Sequence, residues 1–267
     1  MNKGSSLQEA YLSRLEKQRR KIMAARILLA LAFFLLWETA ADKNWIDSFF
    51  FSSPSRLASL FLSMWRDGSL FLHVGITLTE TLISFALVVF IGLAVSLLLW
   101  LSDSVFQVLE PYLVILNSLP KSALAPLLIV WLGANQRTII VAGISVAIFG
   151  TILNLYTGFT ETSREKIRLI YTLHGTKKDA LIKVVLPSTV PMIISIMKVN
   201  IGLCLVGVVI GEFIGARNGL GYLIIYGSQV FQLDLVILSI LILCLMAMLL
   251  YGGVTAAEKL YHRRQHA

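Results

Sequence analysis

Residues 81–102 read TLISFALVVFIGLAVSLLLWLS, twenty-two positions without one charged side chain. As a helix this stretch is about 33 Å long, and the hydrocarbon of a bilayer is about 30 Å thick. Residues 138–160 and 235–257 are equally free of charge. The runs 111–136 and 184–211 are interrupted only by Lys121 and by Lys198. A weaker run, 27–41, is broken by Glu38. The pattern predicts an all-α polytopic membrane protein with six spans, near 24–41, 74–101, 105–132, 138–160, 188–210 and 232–256.

Composition agrees. Hydrophobic residues make up 57% of the 267 positions and charged residues only 14%, against about 25% charged in soluble domains. Mean hydropathy is +0.80. Such a chain lacks the polar surface to cover a soluble core, which excludes a disordered chain, a coiled coil and most soluble enzymes. The net charge of +8 is explained by position. Sixteen of the 23 Lys and Arg fall in 1–26, 161–187 and the C-terminal tail, and five on the opposite side. That bias predicts both termini in the cytoplasm, with anionic lipid rather than nucleic acid as the basic residues' partner. The first run resembles a signal peptide only loosely, because its basic flank is long, so it is expected to stay as a span.

Three segments lie between or beside the spans. Residues 1–25 form an amphipathic pattern with Leu7, Tyr11, Leu15 and Ile22 on one face, predicting a helix on the inner membrane surface, with 26–260 the transmembrane domain and 261–267 a short tail. Residues 53–67 predict a surface helix capped by Ser53 and Pro54 and ended by Gly68. The loop 161–187 is the only sizeable polar segment between spans. Within it a short helix over 176–184, closed by Pro187, offers a grip to a soluble partner.

No phosphate-binding loop, nucleophile elbow or metal-ligand spacing occurs, so no cofactor, metal or catalytic residue is expected. Cys204 and Cys244 sit in apolar runs and are expected as buried thiols. Lys121 and Lys198 at membrane depth suggest a positive lining for an anionic solute, with pairing to a carboxylate of a neighbouring helix, or snorkelling, as the alternative for Lys198. Glycines at 211, 215, 219 and 221 predict a broken segment through 211–224, placing Glu212, Gly219, Gly221 and Tyr222 at an outer gate.

Leu119-Pro120-Lys121-Ser122-Ala123-Leu124-Ala125-Pro126-Leu127, Val184-Val185-Leu186-Pro187 and Gly211-Glu212-Phe213-Ile214-Gly215-Ala216 together resemble the permease subunits of ABC importers for nitrate, sulfonate, taurine and bicarbonate. Ser52-Ser53-Pro54-Ser55 resembles the Pro-Ser-Pro signature of the same branch. The likeness covers about 50–260. It implies a type I importer fold, a homodimer, an ATPase on a separate chain and an external substrate-binding protein. The solute implied is a small anion such as sulfonate, nitrate or taurine, with a vitamin or pyrimidine precursor as the alternative. A secondary transporter is disfavoured by the lack of an internal repeat. A membrane-embedded scaffold is separated by its indifference to coupling-loop mutation.

The resemblance also implies where the ATPase grips. The general motif reads E-A-A-x-x-x-G, nine residues, then I-x-L-P. Counted back from Pro187, its glycine falls on His174 and its E-A-A on Arg168, Leu169 and Ile170, so the familiar residues are missing and Gly175 suggests a turn shifted by one. The expected coupling element is the turn Leu173, His174 and Gly175 followed by Lys177, Lys178, Asp179, Ala180 and Leu181. Ala180, Leu181 and Val184 would form its docking face, with Lys177 and Lys178 solvated.

Overall fold

The computed structural model describes residues 3–265, and all regular structure among them is helical. The chain divides into two compact units, Met1–Ser63 and Met64–Ala267.

The first unit holds α1 (Lys3–Asp42), α2 (Ser48–Phe51) and the start of α3 (Pro54–Arg66). Surface helix and first span are one continuous helix here, with no break at 25. Glu38, which interrupts the apolar run, has a local task. Its carboxylate accepts the Ser55 N–H at 3.0 Å, supplying an acceptor at the N-terminus of α3, where the helix itself has none. Trp37 Nε1 donates to the Phe51 carbonyl at 3.2 Å. The Ser53 hydroxyl accepts the Arg56 N–H at 3.4 Å, as the cap reading expects.

The second unit begins at a turn where Gly68 takes φ +79. There the Asp67 carboxylate accepts both the hydroxyl and the N–H of Ser69, which hold it below the usual carboxylate range. Then follow α4 (Ser69–Leu101), α5 (Asp103–Ser118), α6 (Lys121–Leu132), α7 (Gln136–Thr160), α8 (Arg164–Thr172), α9 (Lys177–Ala180), a π-helical turn (Leu181–Val185), α10 (Leu186–Gly215), α11 (Leu220–Gln229) and α12 (Leu233–Gln265). By length and composition α1, α4, α7, the α9–α10 rod and α12 can each cross a membrane, and α5 with α6 makes a sixth crossing if the bent pair counts as one.

α7 is the centre of this unit, because small residues let α4 and α10 approach its backbone. A Cβ on Gly207 would lie 2.8 Å from the Ala142 carbonyl oxygen and 2.8 Å from Gly143 Cα. A Cβ on Gly92 would lie 2.8 Å from the Thr151 methyl. Ser84 donates to the Ile140 carbonyl at 3.1 Å and Ser96 to the Ile152 carbonyl at 3.2 Å. Both pairs have the same sequence offset, so α4 and α7 run parallel. Gly207 meets Ala142 and Gly211 meets Ile139, so α10 runs antiparallel to them. Parallel α4 and α7 require the chain between them to return across the membrane, and only α5 with α6 is there to do it.

That return is the first correction. The span expected as one helix over 105–132 is bent by 96° between α5 and α6. Leu119 is extended (φ −61, ψ 136) because the residue before a proline is driven out of the helical region. Lys121 is therefore not buried inside a span but starts α6. It reaches back to the Leu116 carbonyl, one of those α5 cannot satisfy, and lies 5.1 Å from the Phe149 ring centre.

The second correction concerns Pro187. It does not end the preceding helix. The π-helical turn 181–185 makes room for a ring that would clash with the carbonyl four residues back, and the rod runs on into α10. Ser188 and Thr189 hydroxyls donate to the Val184 and Val185 carbonyls at 2.7 and 2.9 Å. The thiols also divide: Cys204 is fully buried, whereas Cys244 is exposed on α12 rather than buried.

Gly207→Ala should destabilise the protein by about 3 kcal/mol, because the new methyl meets rigid backbone. Gly202→Ala, on the same helix with nothing within 4 Å of its Cβ position, should be neutral. Thermal unfolding of both variants in detergent checks the pair.

Candidate functional site

Two places gather the residues that the sequence marks. The first is the break between α10 and α11. α10 continues through Gly211 to Gly215, so only 216–219 is non-helical, a shorter interruption than expected. The N-terminus of α11 leaves amide N–H groups without intrahelical partners. Side chains from two other helices take them. Gly219 N–H donates to His73 Nδ1 at 3.0 Å, Leu220 N–H to Thr77 Oγ1 at 2.8 Å and Gly221 N–H to Glu212 Oε2 at 2.5 Å. The Thr77 hydroxyl in turn donates to Glu212 Oε1 at 2.6 Å.

Glu212 is thus fully buried and placed at a helix N-terminus, where the backbone dipole favours a carboxylate. Gly221 is a matter of space, since a Cβ there would lie 2.7 Å from Glu212 Oε2. Gly219 sits at φ +119, a region open to glycine. Tyr222 stacks on His73 with 6.2 Å between ring centres. So Glu212, Gly219, Gly221 and Tyr222 do come together, around a buried hydrogen-bonded staple.

The partners His73, Thr77 and Glu80 were not among the expected site residues. Their signal is visible afterwards: His73, Thr77, Glu80, Thr81 and Ser84 recur at three- and four-residue spacing and make a polar stripe along α4. Glu80 is buried, its Oε2 has no partner, and the residue lines a cavity of about 290 Å³ with Asn135 and Arg217.

The second place is the turn between α8 and α9. His174 has φ +59, so the left-handed residue falls on the motif's glycine position and no shift has occurred. His174 N–H bonds to the Tyr171 carbonyl and Gly175 N–H to the Ile170 carbonyl at 3.0 and 2.9 Å, the paired bonds of a Schellman motif. α9 opens with a capping box. The Thr176 hydroxyl accepts the Asp179 N–H, and Asp179 accepts the Thr176 N–H at 2.9 Å.

The expected docking face of α9 is turned the other way. Ala180 and Leu181 of that face are buried, together with Val185, against Trp100, Leu155, Phe159 and Ile193, and Val184 is half-buried. Helical periodicity finds an apolar face but does not say whether the chain's own core takes it. The large apolar side chains left exposed are Leu173 (70%) and Ile182 (63%), beside His174, Thr176, Lys178 and Lys183 and flanked by Leu169 and Tyr171 on α8. Lys177 is not freely solvated either. It pairs with Asp103 at 3.5 Å and lies 5.4 Å from the Trp100 ring centre.

Lys198 joins neither place. It pairs with Glu258 of α12, the alternative that the sequence left open. The free positive lining expected from Lys198 is absent.

Glu212→Ala strands the Gly221 N–H, at about 1–3 kcal/mol, while the Thr77 hydroxyl keeps the His73 carbonyl as an acceptor. Glu212→Gln keeps an acceptor oxygen and should lose less. Limited trypsin digestion reads this directly, because Arg217 lies in the stapled segment: cleavage there should accelerate clearly for Glu212→Ala and only slightly for Glu212→Gln.

The chain matches known proteins over most of its length. It is 29% identical over 241 residues to a probable ABC transporter permease of Haemophilus influenzae, covering 89% of this chain and 95% of that one. It is 27% identical over 233 residues to a formylaminopyrimidine transport permease of Halalkalibacterium halodurans (87% and 92% covered) and 25% identical over 230 residues to the taurine transport permease of Escherichia coli (84% and 83% covered). Among solved structures, an inward-facing MetNI methionine ABC transporter superposes with a TM-score of 0.60 at 18% identity, covering 69% of this chain and 92% of that chain, which shows a shared fold. The family model for the binding-protein-dependent transport system inner membrane component matches residues 88–265, two-thirds of the chain, and the chain belongs to that family.

Proposed function

We propose that two copies of this chain form the pathway of a bacterial inner-membrane importer, with both termini in the cytoplasm, and that the α8–α9 turn receives the push from the ATPase. Membership of the family makes the chain the non-catalytic membrane component of an ABC importer, which works with an ATPase and a substrate-binding protein. The bias of sixteen to five in Lys and Arg supports the orientation, as do six crossings when α5 with α6 is counted as one.

The observation that carries the coupling role is the construction of the turn. A Schellman motif and a capping box fix it on both sides, so it is stiff. Its outer side shows Leu173, His174 and Ile182, which fit an apolar groove rimmed by acidic groups. Its inner side, Ala180 and Leu181, is embedded among α4, α7 and α10. Force applied outside therefore reaches the spans through close-packed contacts.

The solute is small. Relatives are named for formylaminopyrimidine, taurine, aliphatic sulfonates and nitrate, so the family likeness alone spans anions and neutral heterocycles. The anion reading rested on Lys121 and Lys198 as a positive lining. With Lys198 paired to Glu258, that support rests on Lys121 alone. The pyrimidine-precursor alternative gains accordingly.

The test uses the permease co-expressed with its co-encoded ATPase and binding protein and reconstituted in liposomes. At Gly175 a Cβ would lie 2.9 Å from the Ile170 carbonyl oxygen, so Gly175→Val should break the turn and cut uptake at least tenfold while ATP hydrolysis persists. His174→Gly relieves a left-handed residue worth about 1–2 kcal/mol and should keep full coupling. Wild-type uptake by Gly175→Val, or the absence of a copurifying ATPase, would contradict the proposal.

A further inference from the structure

A cavity of about 170 Å³ lies between α5, α7 and α10, away from both places described above. Each helix contributes one carboxamide: Asn117 from α5, Asn154 from α7 and Asn200 from α10, with the Ser195 hydroxyl beside them. Gly150 leaves the room for Asn117, since a Cβ there would lie 3.2 Å from its Oδ1. Asn200 is only 3% exposed, and its Nδ2 has no hydrogen-bond partner. A buried donor left unpaired is costly, so it marks a place where a partner is to arrive.

The cavity is inside the membrane region. Asn154 lies six residues from the end of α7, about 9 Å along its axis, and Asn200 fifteen residues from the end of α10, about 22 Å. Asn117, Asn154 and Ser195 are exposed on its open side. Amides at that depth face protein or a water-filled path, not lipid tails. No Lys, Arg, Asp or Glu lines the cavity.

We propose that this carboxamide-lined cavity is a transit site for a small uncharged solute carrying hydrogen-bond donors and acceptors on neighbouring atoms, of the amide or amino-azine class. The inference rests on the import reading and narrows its substrate. A carboxamide offers both two N–H donors and a carbonyl acceptor, so three of them complement a molecule of the same kind. An anion would be desolvated here without a cation, a penalty of several kcal/mol. The cavity of about 170 Å³ has room for one small ring.

The test is thermal unfolding of the assembled permease–ATPase complex in nanodiscs with four probes: cytosine and nicotinamide as neutral donors and acceptors, taurine as a zwitterionic sulfonate and nitrate as an anion against matched chloride. Cytosine or nicotinamide should raise Tm saturably, and Asn200→Leu and Gly150→Leu, which block the cavity from different helices, should each remove the shift. Asn200→Ser, which removes the carboxamide without adding bulk, replaces Asn200→Leu if that variant fails to assemble. The proposal is overturned if nitrate or taurine gives the Asn200-dependent shift, if the neutral shift survives both blocking variants, or if no probe shifts Tm. Failure of the import reading would show separately, as ATP hydrolysis that drives no uptake in the same complexes.

Discussion

Hydrocarbon offers no hydrogen bonds, so each interruption of a membrane helix must be satisfied by the protein itself. This constraint explains the three irregular points of the fold. At the α5–α6 bend Lys121 takes the Leu116 carbonyl. At the π-helical turn Ser188 and Thr189 cover the carbonyls near Pro187. At the α10–α11 break the N–H groups of three consecutive residues are met by His73, Thr77 and Glu212. The polar residues that stand out in an apolar sequence are largely those that make irregular backbone tolerable.

The same points are where movement is affordable. A continuous α-helix transmits force but does not reshape, whereas a bend closed by side chains has another arrangement within reach. α7 is held too closely by α4 and α10 for sliding, as the backbone contact at Gly207 shows. The stiff α8–α9 turn is set into that packing through Ala180, Leu181 and Val185. Energy from an ATPase would therefore move α4, α7 and α10 together and be expressed at the bend and the break.

The spans were legible because hydropathy over twenty residues is a strong signal. The break near 216–219 was legible from its glycines, whereas the left-handed turn residue was not, because Gly175 drew the turn one place away from His174. Other features depend on distant residues. Pro111, Pro120 and Pro126 all lie in one apolar run, and only Pro120 marks the bend, because α5 and α6 each accommodate their own proline. Lys198 and Glu258 are 60 residues apart, and nothing local pairs them. The inward face of α9 shares its apolar character with the outward Leu173 and Ile182, so periodicity alone pointed to the wrong side. The three asparagines of the cavity come from three helices and form no motif.

The central claim is that the α8–α9 turn meets the ATPase through its outer side while its inner side belongs to the permease core. Site-specific photocrosslinking in the assembled complex tests it directly, with a photoreactive residue placed in turn at Leu173, Ile182, Ala180 and Leu181. The account predicts capture of the ATPase from Leu173 and Ile182, and none from Ala180 and Leu181. Capture from Ala180 or Leu181, or no capture from Leu173 and Ile182, would contradict it.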